Sequence, residues 1–210
     1  MNYSTDRPIE TGNQDLLGRA SFSKQLGKAM YEYNGKDGLV IGLFGKWGTG
    51  KTSVINMAVN EITELAKSNE NKPIIMKFAP WNYSDKDNLI SMFFQSLKNK
   101  INVQDNEELK NKVGKAVSDY AGAFDALSLV PVVGSGVAAT ILKTLALAKG
   151  ADLMEGADLD KTRKILEETL IQVEKKIIIV IDDIDRLTNS QIRDVFQLVK
   201  QVADFPNVIY

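Results

Sequence analysis

Residues 39–53, which read LVIGLFGKWGTGKTS, constrain the fold of this 210-residue chain more than any other stretch. An apolar run ends at Gly45 and predicts a β-strand over residues 39–44, and a helical pattern begins at Lys51. Between them, the glycines and the lysine have the G-x-x-x-x-G-K-[ST] spacing of a phosphate-binding loop. The strand-to-helix context is the one that such a loop requires, so a glycine-rich turn that matches by chance is the weaker interpretation.

Each residue type in this loop suits the binding of a polyphosphate. The glycines leave out side chains where the backbone must curl or adopt a positive φ. The helix that opens near Lys51 offers unpaired N–H groups and the positive end of its dipole. Lys51 can reach the β- and γ-phosphates, and the Thr52 hydroxyl can ligate Mg²⁺. The predicted nucleotide contacts are Gly45, Lys46, Trp47, Gly48, Thr49, Gly50, Lys51, Thr52 and Ser53.

The composition removes most competing chemistries. The chain contains no cysteine and no histidine, so thiolate and imidazole catalysis are unavailable and any metal must be held by oxygen. Oxygen ligands beside phosphates favour Mg²⁺. A formal net charge of −1 gives no indication of nucleic-acid binding. Residues 1–19 are polar and lack the apolar core of a signal peptide, so we expect a cytoplasmic location.

A second motif follows residues 177–181, IIIVI, whose β-branched side chains are typical of a parallel strand buried on both faces. Ligand sites in parallel sheets lie beyond the carboxyl ends of strands, which is where Asp182 and Asp183 are placed. We interpret this as a Walker B motif in which Asp182 holds Mg²⁺ and Asp183 polarises the attacking water. The alternative is that the acidic residues only cap the next turn. Three roles are open for the pair Asp185 and Arg186: a structural ion pair, orientation of the loop, or a contact with a neighbouring subunit.

Apolar periodicity predicts an alternation of helices and strands around these motifs. The expected strands are residues 74–78, 177–181 and 207–210, and the expected helices are residues 20–33, 54–68, 89–101, 107–115, 161–174 and the stretch after the Thr188 capping box. We divide the chain into residues 1–101 (N-terminal helix and first half of the core), 102–160 (helical insertion) and 161–210 (Walker B half). Because the chain stops on what looks like the first half of a strand, we expect it to be a fragment of a longer polypeptide.

The insertion contains an unusual apolar segment. Residues 126–142, ALSLVPVVGSGVAATIL, have no charged residue but are interrupted by Pro131, Gly134 and Gly136. We expect a buried helical hairpin, because the run is at the lower limit of a membrane-spanning length and is broken. The alternative is a weak membrane segment over residues 126–148 that would make the protein membrane-associated.

Four stretches taken together resemble the KAP family of P-loop NTPases: GLFGKWGTGKTS, FAPWNYS, the small-residue apolar insertion and IIIVIDDIDRL. The resemblance covers about residues 15–210. It implies an α/β P-loop core of the additional-strand class, with a mainly parallel sheet, helices on both faces and a helical insertion between Walker A and Walker B. It also implies that ATP and Mg²⁺ bind at the loop and at Asp182, with Asp183 and Lys51 as the catalytic groups. Members of the family carry membrane segments between the two motifs, and some bacterial members are linked to phage exclusion.

These observations favour an ATP-binding, ATP-hydrolysing regulatory module of a larger protein, with bacterial anti-phage defence as the setting by family analogy. Its expected partners are further copies of itself or a C-terminal effector region. The alternative is a membrane-associated scaffold in which nucleotide only stabilises the fold, but the pair Asp182 and Asp183 favours hydrolysis. A GTP switch has little support because no Asn-Lys-x-Asp motif is present. A small-molecule kinase is disfavoured by the acid at position 183.

Overall fold

The computed structural model describes residues 7–35, 37–69, 72–82, 86–101, 106–128, 159–202 and 205–210. From residue 129 on, the segment for which we expected a buried hairpin or a membrane helix lies outside the described residues. Within the described ranges, no helix combines the length and the apolar character needed to cross a membrane.

The described residues contain six α-helices and three β-strands. The helices are α1 (Ala20–Glu32), α2 (Lys51–Leu65), α3 (Lys86–Lys100), α4 (Glu107–Ser128), α5 (Leu159–Val173) and α6 (Asn189–Val202). The strands are β1 (Ile74–Phe78), β2 (Ile177–Ile181) and β3 (Val208–Ile209). Short 3₁₀ turns lie at Gly12–Gln14, Pro80–Asn82 and Ile184–Arg186. Apolar periodicity therefore located most of these helices and strands to within a few residues, and β1 and β2 have the predicted bounds. The exception is α4, which was predicted to end at residue 115 but continues to Ser128.

The strand order places β2 between β1 and β3. β2 and β3 are parallel, with Ile177 beside Val208 and Ile178 beside Ile209. On its other side β3 forms a parallel bridge with Leu39, at the start of the segment that leads into the glycine-rich loop. One strand thus separates the loop segment from the strand that precedes Asp182.

The predicted strand over residues 39–44 is wrong in its extent. Only its beginning pairs: Leu39 N donates to Val208 O at 3.0 Å, Tyr210 N donates to Leu39 O at 2.8 Å, and Ile41 N donates to Tyr210 O at 2.7 Å. Phe44, at the end of the predicted strand, is 91% exposed.

The chain divides into two compact units. The first comprises Met1–Lys77, Glu174–Asp182 and Gln201–Tyr210, and the second comprises Phe78–Val173 and Asp183–Lys200.

In the first unit, a buried cluster joins the helices to the strands. Met30 of α1, Ile62 of α2, Ile178 of β2 and Ile209 of β3 form this cluster, and α1 packs along α2. Removal of these side chains from water stabilises the unit by roughly 1.5–3 kcal/mol per fully buried residue. The cluster therefore fixes α2 against the sheet, and α2 is the helix that begins at the glycine-rich loop.

Lys176, just before β2, closes the C-terminal end of α1. Its Nζ donates to Met30 O at 3.0 Å and also to Tyr31 O. Carbonyls at a helix C-terminus lack intrahelical partners and carry partial negative charge, so an ammonium group is favourable there. Burial lowers the pKa of Lys176 from its ordinary value.

The second unit is built around a row of aromatic rings. Phe78, Phe93, Phe94 and Tyr120 contact one another edge to face in succession, with centroid distances of 5.2, 5.4 and 5.3 Å. Helix α4, which carries Tyr120, packs on both α3 and α5. Burial raises the pKa of the Tyr120 hydroxyl to about 12, so the phenol stays neutral at ordinary pH.

The packing of α1 on α2 predicts the effect of a side chain at Gly27. A Cβ there would lie 2.5 Å from the Ala58 carbonyl oxygen and 3.0 Å from Glu61 Cβ. We expect Gly27→Ala to lower the free energy of unfolding by about 2 kcal/mol, because overpacking outweighs the gain in helix propensity of up to about 1 kcal/mol. Urea unfolding measures the difference.

Gly122→Ala is the matched control, because Gly122 is also helical but a Cβ there would meet nothing within 4 Å. This variant should be as stable as wild type or more stable by up to about 1 kcal/mol. Equal stabilisation by both substitutions would contradict the close approach of α1 to α2.

Candidate nucleotide-binding site

The backbone of the loop has the shape that its glycines predict. Gly48 and Gly50 have φ values of 75° and 81°, in the left-handed region that side chains disfavour. At Gly45 the constraint is space, since a Cβ would lie 2.7 Å from Thr49 Oγ1. Gly48 and Gly50 therefore allow the loop to curl, and Gly45 leaves the space that the Thr49 side chain occupies.

Lys51 is the first residue of α2 and turns back over the loop. Its Nζ donates to Gly45 O at 3.1 Å and to Lys46 O at 3.2 Å. Thr49 Oγ1 donates to the same Lys46 carbonyl at 2.7 Å. The ammonium group therefore lies on the loop whose backbone would surround a phosphate. The first amides of α2 point out of the same helix end.

Thr52 and Ser53 follow on the first turn of α2, and both are partly buried. The Ser53 hydroxyl accepts a hydrogen bond from Ile9 N at 3.2 Å, while Asn56 Nδ2 donates to Ile9 O at 3.3 Å. Lys77 Nζ of β1 in turn donates to Asn56 Oδ1 at 3.0 Å. The structure thus places Ser53 in a contact with the N-terminal segment that the sequence did not predict.

Trp47 is 82% exposed at the tip of the loop. Its ring is accessible to a ligand, and its assignment as a nucleotide contact remains a prediction.

Arg19 is a loop contact that sequence reasoning missed. A guanidinium N–H of Arg19 donates to Thr49 O, and the same Nη1 would lie 3.3 Å from a Cβ at Gly50. Arg19 lies thirty residues before Thr49 and is not part of the loop motif, so the sequence pattern could not identify it. Only the fold shows that it supports the loop backbone.

Asp15 fixes the segment that delivers Arg19. Its carboxylate accepts hydrogen bonds from Ala20 N at 2.7 Å and from Leu17 N at 3.0 Å. These two amides hold the pKa of the Asp15 carboxyl below its ordinary value. The turn before α1 is thereby held in one conformation next to Arg19.

Asp182 directly follows β2, as predicted. Because β2, β3 and the Leu39 segment run parallel, their carboxyl ends lie at one edge of the sheet. The loop that follows residue 44 and Asp182 therefore both leave from this edge, which is where parallel sheets bind their ligands. The structure brings together in this way two motifs that are far apart in the sequence.

Asp183, the next residue, has a left-handed backbone conformation with φ 60° and ψ 30°. It precedes the 3₁₀ turn Ile184–Arg186 and makes no side-chain capping hydrogen bond to that turn, which weakens the capping interpretation. Its Oδ1 lies 3.0 Å from Arg186 Nε. An ion pair between Asp185 and Arg186 was one of the three interpretations that the sequence left open, and the structure pairs Arg186 with Asp183.

Among the described residues, no three Asp, Glu, His or Cys side chains gather into a group that could hold a metal. A Mg²⁺ that accompanies a nucleotide needs fewer protein ligands, because phosphate oxygens and water supply the rest. The Thr52 hydroxyl and the Asp182 carboxylate are oxygen ligands of the kind that Mg²⁺ prefers, so their chemistry fits this ion.

A curled glycine loop that ends in a lysine at the start of a helix, at the carboxyl edge of a parallel sheet, defines a P-loop nucleotide-binding protein. The chain belongs to the KAP family: the model for the KAP family P-loop domain matches residues 19–210. The α/β fold and the family that the motifs indicated are thereby confirmed.

Among curated proteins, the chain is similar to the phage T7 exclusion protein of Escherichia coli (strain K12). The two are 25% identical over 218 residues, which covers 96% of this chain but 29% of that protein. The chain therefore spans less than a third of its relative's length. No solved structure matches this chain.

The left-handed glycines of the loop predict separate effects on folding and on binding. In Gly48→Ala, the new side chain meets nothing within 4 Å, so we expect only the cost of its φ, about 1–2 kcal/mol in the free energy of unfolding. We also expect weaker nucleotide binding, because the loop must keep this curl. Thermal unfolding and calorimetric titration with ATP measure the two quantities.

Gly122→Ala is the control, since it adds the same methyl group in open space on α4, far from the loop in the sequence. It should keep both the stability and the affinity of the wild type. Unchanged ATP affinity in Gly48→Ala would show that the shape of the loop is not used for binding.

Proposed function

We propose that this chain is an ATP-binding module that hydrolyses ATP with the help of Mg²⁺. The observation that carries the proposal is the placement of Lys51, at the first residue of α2, over a loop curled by Gly48 and Gly50. The family assignment supports nucleotide binding, and the identity of the nucleotide and its hydrolysis are our inference.

Binding follows from the electrostatics of the loop. Backbone N–H groups and the positive end of the α2 dipole attract a polyphosphate. Lys51 now donates to two loop carbonyls, and on binding it would exchange these neutral acceptors for charged phosphate oxygens. Hydrogen bonds between charged groups are about twice as strong as neutral ones, so this exchange favours the bound state.

Mg²⁺ would be held by the Thr52 hydroxyl directly and by Asp182 through water. When bound, the ion would supply positive charge that offsets the negative charge of the phosphates. In this arrangement Thr52 and Asp182 orient the ion, and Lys51 balances the remaining negative charge.

For hydrolysis, Asp183 is the group that we assign to the attacking water. Its carboxylate accepts a hydrogen bond from the water and takes up its proton as the oxygen bonds to the γ-phosphorus. The bond from phosphorus to the bridging oxygen breaks, and the products are ADP and phosphate. A positioned carboxylate of this kind contributes a factor of roughly 10²–10⁴ to the rate.

A role in bacterial anti-phage defence is our proposal for the biological setting. Its support is the printed name of the similar protein, phage T7 exclusion protein, together with the family match. The nucleotide cycle would then control self-association or an effector region. A detergent-free preparation that stays in the soluble fraction would count against the alternative of a membrane-associated scaffold.

Removal of the Lys51 ammonium tests the binding site. We expect Lys51→Ala to raise the dissociation constant for ATP about 100-fold, because a charge-assisted contact to phosphate is lost. Calorimetric titration measures the constant. Lys24→Ala, which removes an exposed lysine of α1, serves as the control and should bind as the wild type does. Equal affinity in all three proteins would exclude the loop as the ATP site.

Replacement of the Asp183 carboxylate tests the assignment of the catalytic acid. We expect Asp183→Asn to bind ATP normally and to lose hydrolysis by roughly 10²–10⁴-fold, since the amide cannot accept the proton. Phosphate release under saturating ATP and Mg²⁺ measures the rate.

Asp185→Asn provides the matched control two residues away, at an exposed position. It should retain both binding and turnover. Normal hydrolysis in Asp183→Asn would show that another group activates the water.

A further inference from the structure

Two turns of the second unit meet through a pair of side chains that the proposed function has not used. Trp81 lies in the 3₁₀ turn Pro80–Asn82 that follows β1, and Arg186 lies in the turn Ile184–Arg186 that follows Asp183. These two turns pack against each other. The Arg186 guanidinium carbon lies 5.4 Å from the centroid of the Trp81 ring, within the range of a cation–π contact.

The same arginine also binds the candidate catalytic acid. Arg186 Nε lies 3.0 Å from Asp183 Oδ1, and the turn is closed by a hydrogen bond from Arg186 N to Asp183 O at 3.2 Å. A continuous row of contacts therefore joins three side chains. The Trp81 ring stacks on the Arg186 guanidinium, and the guanidinium forms an ion pair with the Asp183 carboxylate.

We propose that Trp81 and Arg186, which we call the Trp–Arg pair, are positioning residues that orient the Asp183 carboxylate for ATP hydrolysis. The inference rests on the proposed function, because it takes Asp183 to be the group that activates water. It adds two residues to the catalytic apparatus and assigns them an action through Asp183 rather than on the nucleotide.

The backbone at Asp183 explains why such support is needed. A left-handed conformation is uncommon outside glycine and persists where surrounding contacts maintain it. The Asp183 side chain is 32% exposed, and its Oδ1 forms an ion pair with Arg186 across the turn. The contact with Arg186 fixes the direction of Oδ1 relative to the turn.

The exposure of Arg186 explains the need for Trp81. The Arg186 side chain is 55% exposed, and exposed ion pairs are weak because two flexible side chains must be held in one geometry. The flat face of an indole limits the rotamers that the guanidinium can adopt. Lysine would keep the charge but lose both the planar stack and the directed N–H groups, so arginine is specific to this role.

These energies predict a small effect on stability and a larger one on rate. Exposed ion pairs and cation–π contacts contribute little to folding. A displacement of a catalytic group by about 1 Å, in contrast, can lower a rate about 100-fold. A residue that matters only for the fold would show the opposite pattern.

The stack itself can be tested without turnover, because Trp47 and Trp81 are the two tryptophans of the chain. In the Trp47→Phe background, Trp81 alone reports by fluorescence. We expect Arg186→Ala to change its emission and to increase its quenching by acrylamide, whereas Arg193→Ala, an exposed arginine of α6, should change neither. Identical quenching in Arg186→Ala and its parent would overturn the proposed contact.

The positioning role is tested by steady-state ATP hydrolysis in the full chain. We expect Arg186→Ala and Trp81→Ala to lower kcat about 10–100-fold and about 3–10-fold, with KM changed less than about threefold and the thermal midpoint by less than about 4 °C. Arg186→Lys should behave like Arg186→Ala, and Trp81→Phe should retain most of the activity because it keeps an aromatic face. Arg193→Ala should match the wild type.

Double variants separate action through Asp183 from an independent effect. The Trp81→Ala and Arg186→Ala double variant should be no slower than Arg186→Ala alone, and Arg186→Ala should have no further effect in the Asp183→Asn background. Additive losses in kcat, or a rise in KM at unchanged kcat, would overturn the positioning role.

The outcomes also distinguish the two proposals. If Asp183→Asn is inactive while Arg186→Ala and Trp81→Ala keep the kcat of the wild type, the positioning role is wrong and the proposed function stands. If Asp183→Asn hydrolyses ATP normally, another group activates the water and the positioning role is wrong, whereas ATP hydrolysis by the chain stands. If the wild type itself does not hydrolyse ATP, the proposed function is wrong.

Discussion

The parallel pairing around β3 is the constraint on which the rest of the site depends. β3 is hydrogen-bonded to β2 on one side, where Ile177 N donates to Asn207 O at 2.7 Å, and to the segment at Leu39 on the other. Since all three run in the same direction, the glycine-rich loop and Asp182 leave the sheet at one edge. Two motifs separated by the whole insertion thereby leave the sheet at the same edge, where we propose that they form one ligand site.

The glycine-rich loop at that edge is stabilised by contacts with residues outside the motif. The packing of α1 on α2 requires Gly27, and α1 in turn begins just after Arg19, whose guanidinium holds the Thr49 carbonyl. The N-terminal segment adds the hydrogen bond from Ile9 N to Ser53. The loop is therefore stabilised by these neighbours in addition to the hydrogen bonds of its own Thr49 and Lys51 side chains. Within the second unit, Arg186 of the Trp–Arg pair contacts the Asp183 carboxylate.

Sequence reasoning found the parts of the structure that local chemistry determines. Periodicity gave β1, β2 and most helices, the capping box at Thr188 gave the start of α6, and the glycine spacing gave the loop. It failed where the structure is determined by a contact with a residue that is not adjacent in the sequence. Arg19 contacts the loop only because α1 packs on α2. Arg186 pairs with Asp183, three residues away, because the left-handed backbone at Asp183 turns the chain.

The central claim is that this P-loop domain binds ATP at the loop and turns it over with Mg²⁺. It is tested most directly by single-turnover hydrolysis of γ-labelled ATP by the full chain, with enzyme in excess, in the presence of Mg²⁺ and again after chelation. Our account predicts release of labelled phosphate that requires Mg²⁺ and disappears with the chelator. ATP that binds but is recovered intact in the presence of Mg²⁺, or hydrolysis that continues after chelation, would contradict it.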